Sequence, residues 1–242
     1  LVGSEMCIRD RHSAVTAVLC RYSGRRVESM KNIVVLVSGG GTNLQALIDA
    51  QKRGSIPNGR ITCVISSNPD AYALTRAKEN GIGTRVIVPK DYPSRDQYSN
   101  ALLEALFQEY ADLIVLAGFM TILDKKIIQA YHNQIINVHP SLIPSFCGPG
   151  YYGLHVHEEA LARGVKVTGA TVHFVNEGAD EGPIILQQPV PVKQNDTPET
   201  LQQRVMEEAE WKILPYAVAL FCDGRLEVKG RTVFIKENAM FS

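Results

Sequence analysis

IVVLVSGGGTNLQALIDAQ, residues 33–51, decides how the chain folds. Residues 33–37 form an apolar, mostly β-branched run, the pattern of a buried strand. Ser38-Gly39-Gly40-Gly41 closes that run in a turn. Over residues 42–51, Leu44, Leu47 and Ile48 recur at helical spacing, so a helix follows at once. Glycines between a strand and a helix let backbone N–H groups approach an anion, and the helix N-terminus adds a favourable dipole. No Gly-Lys-Ser/Thr follows, which excludes a triphosphate loop, and Leu44 stands where a dinucleotide loop has its third glycine. The economical reading is a site for one phosphate. The plainer alternative is a tight turn with a capped helix, but three successive glycines exceed what such a turn needs.

The alternation continues outward. Residues 60–66 read as a strand, 70–80 as a helix stopped by Gly81, and 85–88 as a third strand. Residues 94–110 make a long amphipathic helix with Ser94 as its N-cap, and 112–117 and 135–138 are strands four and five. Strands alternating with helices imply right-handed crossovers and a mainly parallel sheet. After residue 140 the pattern changes. Residues 140–153 form an irregular loop rich in glycine and proline, and 155–163 a helix. Residues 166–175 and 183–192 are strands with no helix between them, so they can pair antiparallel. Thr197 and Pro198 open a last long helix, expected to reach about residue 214, where Pro215 kinks or breaks it. Two short strands flank Gly230. The expected fold is α/β: a Rossmann-like, mainly parallel sheet with helices on both faces and antiparallel strands added in the C-terminal part.

A chain of 242 residues with 45% hydrophobic content suffices for one large domain. Lys+Arg and Asp+Glu both number 25, and no basic stripe appears in the body of the chain, which argues against a nucleic-acid partner. No apolar run reaches the roughly 18–20 residues that span a bilayer. Cys7, Cys20, Cys63, Cys147 and Cys222 are odd in number and widely spaced, which reads as reduced thiols in a cytoplasmic protein. Residues 1–29 lack a period and carry five arginines, and their opening looks like translated adaptor sequence, so Met30 is the expected start. The expected organisation is an extraneous leader 1–29, one domain 30–237 with halves 30–138 and 139–237, and a tail 238–242.

Residues 135–144, IINVHPSLIP, carry the chemistry. Asn137 and His139 are two apart at the end of a strand, so both side chains face one way. An amide can donate to a developing oxyanion, and an imidazole can move a proton near neutral pH. Asp180 or Glu181, between Gly178 and Gly182, could pair with the imidazole and favour its cationic form. A core histidine and a solvated acidic turn are the plainer alternative. His155 and His157 invite a metal reading, but they are not four apart and no Cys or paired Asp completes a set. Cys147 is a weak candidate nucleophile, and Trp211 is assigned to packing.

Residues 30–237 resemble the phosphoribosylglycinamide formyltransferases, folate-dependent enzymes of purine synthesis. The resemblance rests on IVVLVSGGGTNLQALID, LAGFMTIL, IINVHPSLIP, GLHVH, GATVHFV, ADEGPIILQ and AEWKILP, in the family's order. Asn-x-His-Pro-Ser alone marks the wider group of formyl-folate enzymes, and residues 38–43 narrow it. The resemblance implies that Asn137, His139 and Asp180 are the catalytic trio, without a metal or covalent intermediate. It implies that Gly41, Thr42 and Asn43 bind the substrate's phosphate and Glu210 its ribose. Leu116, Met120, Ile122 and Leu123 would wall the pocket for 10-formyltetrahydrofolate, with Arg95 near the folate's glutamate tail. Partners would be these two small molecules, with no membrane and no nucleic acid, and the protein a monomer or homodimer.

Four departures from the family accompany the match. Thr121 stands where a basic residue is common, residues 144–153 are longer, the last helix has one more residue before Glu210, and Trp211 replaces a common His. The rival readings are a formyltetrahydrofolate hydrolase, a methionyl-tRNA formyltransferase, or a sugar-phosphate-binding module without catalysis.

Overall fold

The computed structural model describes residues 30–237, so the readings of the leader, the tail, Cys7 and Cys20 lie outside the described residues. The first half alternates: β1 (Lys31–Val37), α1 (Thr42–Lys52), β2 (Gly59–Ser66), α2 (Tyr72–Glu79), β3 (Gly83–Val86), a 3₁₀ turn (Pro89–Asp91), α3 (Arg95–Gln108), β4 (Leu113–Leu116), α4 (Lys125–Ala130) and β5 (Ile135–His139). There follow α5 (His155–Arg163), β6 (Val167–Phe174), β7 (Ile184–Pro191), α6 (Pro198–Val205), a π turn (Met206–Glu210), α7 (Trp211–Cys222), β8 (Leu226–Lys229) and β9 (Thr232–Ile235). Among the described residues the nine strands form one sheet in the order β3-β2-β1-β4-β5-β6-β7-β9-β8.

Strands β3, β2, β1, β4 and β5 run parallel. From β1 the chain winds one way to β2 and β3, then returns to β1's other side as β4. The carboxyl ends of β1 and β4 therefore flank a topological switch point, where α/β sheets open a ligand crevice. β6 and β7 pair antiparallel, as the missing helix predicts, and β6 also runs antiparallel to β5 although α5 lies between them. Ile33, Val35 and Val37 face one core with α1, α2 and α7, while Val34 and Leu36 face the other with α3 and α4. Helices thus cover both faces, which is why β1 reads as an unbroken apolar run.

Three expectations need correction. β3 spans Gly83–Val86, two residues before its expected place, because pairing Cys63 with Gly83 and Ser66 with Val86 sets its bounds. Helix α4 was not evident, being too short for a period; Asp124 caps it by accepting from the Lys126 N–H. Pro215 does not end the last helix, which continues to Cys222. Pro215 lies within the buried face alongside Ile213, Leu214, Ala217 and Val218, whose burial offsets the ~3 kcal/mol cost of an interior proline. The irregularity falls earlier, at the π turn. Leu201, Val205, Ala209, Ile213 and Ala217 are all buried at four-residue steps. In an α-helix each such step drifts about 40°, and the wider π turn takes back about one residue of that drift.

Candidate active site

The glycine loop leaves β1 at the switch point. Gly41 has φ +73°, and a Cβ there would lie 2.6 Å from the Ala73 Cβ, so glycine is required for both conformation and space. Gly41 is also the N-cap of α1, with no side chain capping it. Among the described residues, the N–H groups of Gly40 to Asn43 have no protein acceptor. Ser38 Oγ lies 2.7 Å from Ser67 Oγ and accepts from the Met120 N–H at 2.9 Å, which ties the loops after β1, β2 and β4 together. Asn43 donates from Nδ2 to Glu210 Oε2 at 2.6 Å, across 167 positions of sequence. Both residues are buried, and burial pushes the Glu210 carboxyl up although Asn43 pulls it down. The π turn sets Glu210 against the loop. A cavity of about 290 Å³ opens beside it, lined by Thr42, Gln45, Arg76 and Trp211 among others.

The second group of polar side chains lies at the end of β5. Leu36 pairs with Leu116 and Leu116 with Asn137, so Asn137 is two strands from the glycine-loop end of β1, about 10 Å away. The antiparallel partner β6 places His173 opposite Asn137 and Thr171 opposite His139. Asn137 Nδ2 lies 3.2 Å from His173 Nε2 and 3.5 Å from Asp180 Oδ1. Asp180 Oδ2 lies 3.5 Å from His139 Nδ1 and accepts from the Gly148 N–H at 3.0 Å, and its Oδ1 is 3.6 Å from His173 Nε2. The structure thus brings Asp180, rather than Glu181, to the imidazole. Asp180 has φ +57°, a conformation that costs free energy and recurs at functional sites. Gly182 fixes the loop rather than loosening it, since a Cβ there would overlap the Phe174 carbonyl.

His139 donates from Nε2 to the Phe146 carbonyl at 2.8 Å. That bond fixes the tautomer and leaves Nδ1, facing Asp180, as the nitrogen free to exchange a proton. Burial holds the His139 imidazole below its ordinary value, outweighing the upward pull of Asp180 and the Phe146 carbonyl. Desolvation thus opposes the cationic form that the Asp180 carboxylate favours. Burial pushes the Asp180 carboxyl up, but His173, His139 and the Gly148 N–H together hold it below the usual range. Burial thus favours a neutral base at His139, and its neighbours favour an anion at Asp180.

The remaining sequence candidates separate. Leu116 and Leu123 are buried in the core, at 8% and 7% exposure, whereas Met120 and Ile122 are exposed at 59% and 73%. Arg95 reaches the same segment, donating from Nη2 to the Ile122 carbonyl at 3.3 Å. Cys147 donates to the Pro144 carbonyl at 3.3 Å, and burial, Asp180 and Glu181 push its thiol up, so nothing activates it as a nucleophile. His155 is exposed beside Glu158 while His157 is buried, so the two do not share a site.

Comparison with known proteins shows the family. The formyl transferase family matches residues 31–218. A phosphoribosylglycinamide formyltransferase of Haemophilus influenzae is 41% identical over 211 residues, covering 87% of this chain and 96% of that protein. This chain belongs to the phosphoribosylglycinamide formyltransferases. Among solved structures, glycinamide ribonucleotide transformylase 1 from Symbiobacterium toebii superposes with TM-score 0.83 at 45% identity, covering 89% of this chain and 100% of that one. A formyltetrahydrofolate deformylase from Pseudomonas syringae gives TM-score 0.78 at 26% identity, covering 93% of this chain and 74% of that one.

Sequence reasoning about this formyltransferase missed three contributors to the site. His173 was visible within GATVHFV, but only the β5–β6 register sets it against Asn137. The Phe146 carbonyl carries no side-chain signal at all. Arg76, which donates from Nε to the Gly40 carbonyl at 2.9 Å, reads in sequence as one more solvated charge on α2.

Proposed function

We propose that the protein transfers the formyl group of 10-formyltetrahydrofolate to the amine of 5′-phosphoribosylglycinamide, giving formylglycinamide ribonucleotide and tetrahydrofolate in de novo purine synthesis. The convergence of Asn137, His139 and Asp180 beside a glycine loop with free N–H groups carries this reading. The N–H groups of residues 40–43 take the phosphate, and Glu210, held by Asn43, takes the ribose. Met120 and Ile122 offer an exposed apolar wall for a flat heterocycle, with Arg95 beside it for an anionic tail, and that set fits a folate.

The co-substrate supplies an activated formyl carbon. Asn137 Nδ2 donates to the formyl oxygen as it gains negative charge. His139 Nδ1 accepts the proton lost by the attacking amine, and Asp180 stabilises the imidazolium so formed. His139 then returns that proton to the departing folate nitrogen as the new C–N bond replaces the old one. Phe146 keeps Nε2 engaged throughout, so one nitrogen performs both transfers.

The test is release of tetrahydrofolate from 10-formyltetrahydrofolate with and without the ribonucleotide. Release that requires the ribonucleotide is the expected result, and release without it would favour hydrolysis, the activity named for the structurally similar deformylase. We further propose that residues 30–237 act as one domain, in the cytoplasm, on small molecules alone. Free Cys63, Cys147 and Cys222 are consistent with a reducing compartment, and no described helix is long and apolar enough to cross a membrane.

A further inference from the structure

We infer that Arg76 is a positioning residue for the phosphate site, acting through the carbonyl of Gly40; the inference rests on the phosphate reading of residues 40–43. Four successive carbonyls of the loop are held from one side. Ser67 N–H donates to the Val37 carbonyl at 3.1 Å, Asn68 Nδ2 to Ser38 at 3.5 Å, Ala73 N–H to Gly39 at 3.1 Å, and Arg76 Nε to Gly40 at 2.9 Å. All four donors belong to the segment that follows β2 and forms α2. In a trans peptide the carbonyl and the next N–H point in opposite directions. Holding the Gly39 and Gly40 carbonyls toward α2 therefore turns the Gly40 and Gly41 N–H groups away from it, to the same side of the loop. Thr42 and Asn43 extend the set as the first residues of α1, whose N–H groups have no acceptor within the helix. The result is a concave nest of donors suited to an oxyanion.

Of the four tethers, three are made by uncharged groups and one by a guanidinium. Glycine has the widest choice of backbone conformation, so an untethered Gly40–Gly41 peptide would be free to flip its N–H out of the nest. Arg76 is itself oriented by three contacts. Its Nη1 donates to Gln45 Oε1 at 3.1 Å, its guanidinium lies 5.0 Å from the Tyr72 ring centroid, and its Nε makes the bond to Gly40. It is therefore a preset clamp rather than a mobile surface cation, and it places a positive charge directly behind the loop.

The test compares the ribonucleotide with its dephosphorylated counterpart, glycinamide ribonucleoside, as substrates for the wild-type protein, Arg76→Met and Arg76→Lys. Methionine keeps an apolar stem against Tyr72 without a donor, and lysine keeps the charge but cannot hold Gly40 and Gln45 in one planar fork. Arg76→Met should raise KM for the ribonucleotide about tenfold, as expected for one lost charge-assisted hydrogen bond. Its kcat and its KM for the ribonucleoside should stay near wild type, and Arg76→Lys should fall between. Equal KM changes for both substrates, or a change in kcat alone, would overturn the role of Arg76. A wild-type protein that does not distinguish the two substrates would instead overturn the phosphate reading beneath it. Melting temperatures of the variants separate either result from misfolding, because a destabilised fold lowers both substrates' turnover together.

Discussion

The two polar centres of this molecule are built in opposite ways. The glycine loop uses backbone N–H groups of four consecutive residues at the carboxyl end of an interior strand. The centre at the end of β5 uses side chains from three segments, Asn137 and His139 on β5, His173 on β6 and Asp180 beyond it, and both of its histidines are buried. A backbone site holds its charge preference by geometry alone and titrates nowhere. A side-chain site in low dielectric moves protons, but its charge states depend on burial and on each neighbour. Under the proposed function, anion binding falls to backbone groups that do not titrate, and proton transfer to side chains that do.

The largest expected effect falls on the side-chain centre. Asp180→Asn should lower kcat by about 10³-fold, within the range of a lost acid–base partner, while KM for either substrate changes only a few-fold. Because Asp180 raises the His139 pKa, its removal should also move the acid limb of kcat/KM to lower pH. In the wild-type protein that limb should already lie below the ordinary imidazole value near 6.5, since a protonated His139 cannot accept the amine's proton. A large KM effect with kcat preserved would erase the division between binding and proton transfer.

Next comes acid stability. His157 is fully buried, neither ring nitrogen has a partner among the described residues, and burial, with a contribution from His139, pushes its pKa to about 4. Its folded value is below its unfolded one, so the unfolded chain binds the proton more readily. Stability should be intact above about pH 6.5 and fall by about 3 kcal/mol as pH drops to about 4. His157→Phe should remove most of that dependence, read as melting temperature against pH. An unchanged acid profile in the variant would assign the loss to other groups.

A smaller effect is expected at the backbone centre. Gly41→Ala imposes a strained φ and a clash with Ala73, together about 2 kcal/mol. That should raise KM for the ribonucleotide by at least about tenfold with little change in kcat. Loss of kcat instead would show that the two centres are coupled rather than separate.

The smallest effect tests the π turn that sets Glu210 against the glycine loop. Deleting the exposed Glu208 should convert the π turn to a regular α turn and leave Glu210 facing Asn43. KM for the ribonucleotide should then stay within about threefold, because the flanking helices keep their phase. A loss as large as that of Glu210→Ala would show that the wide turn itself, and not only the placement of Glu210, serves the site.

The same contrast explains what could be read in advance. The glycine loop was legible because strand, turn and helix are adjacent in sequence, and their apolar periods and glycines are local signals. The alternation of β1 to β5 and the antiparallel β6 and β7 were legible for the same reason. Asn137 and His139 could be set on one face by the two-residue period of a strand. Spacing by itself did not separate Asp180 from Glu181, which only the family resemblance chose between, because the loop's path, held by the Gly148 N–H and the close approach of Gly182 to Phe174, selects one acid. The π turn left a trace in the four-residue spacing of buried positions, which is legible once the drift of an α-helix is counted.

Local order in this protein therefore follows from the sequence by itself: which segments are strands and helices, where the loop can hold an anion, and which residue types carry the chemistry. Tertiary structure alone decided the burial of His139, the path that brings Asp180 to it, the place of His173 and the bond from Arg76 to the Gly40 carbonyl. Periodicity and turn chemistry are set by neighbours along the chain, whereas a proton's free energy is set by every dipole and every water removed around it. Those surroundings exist only when segments as distant as Asn43 and Glu210 have met.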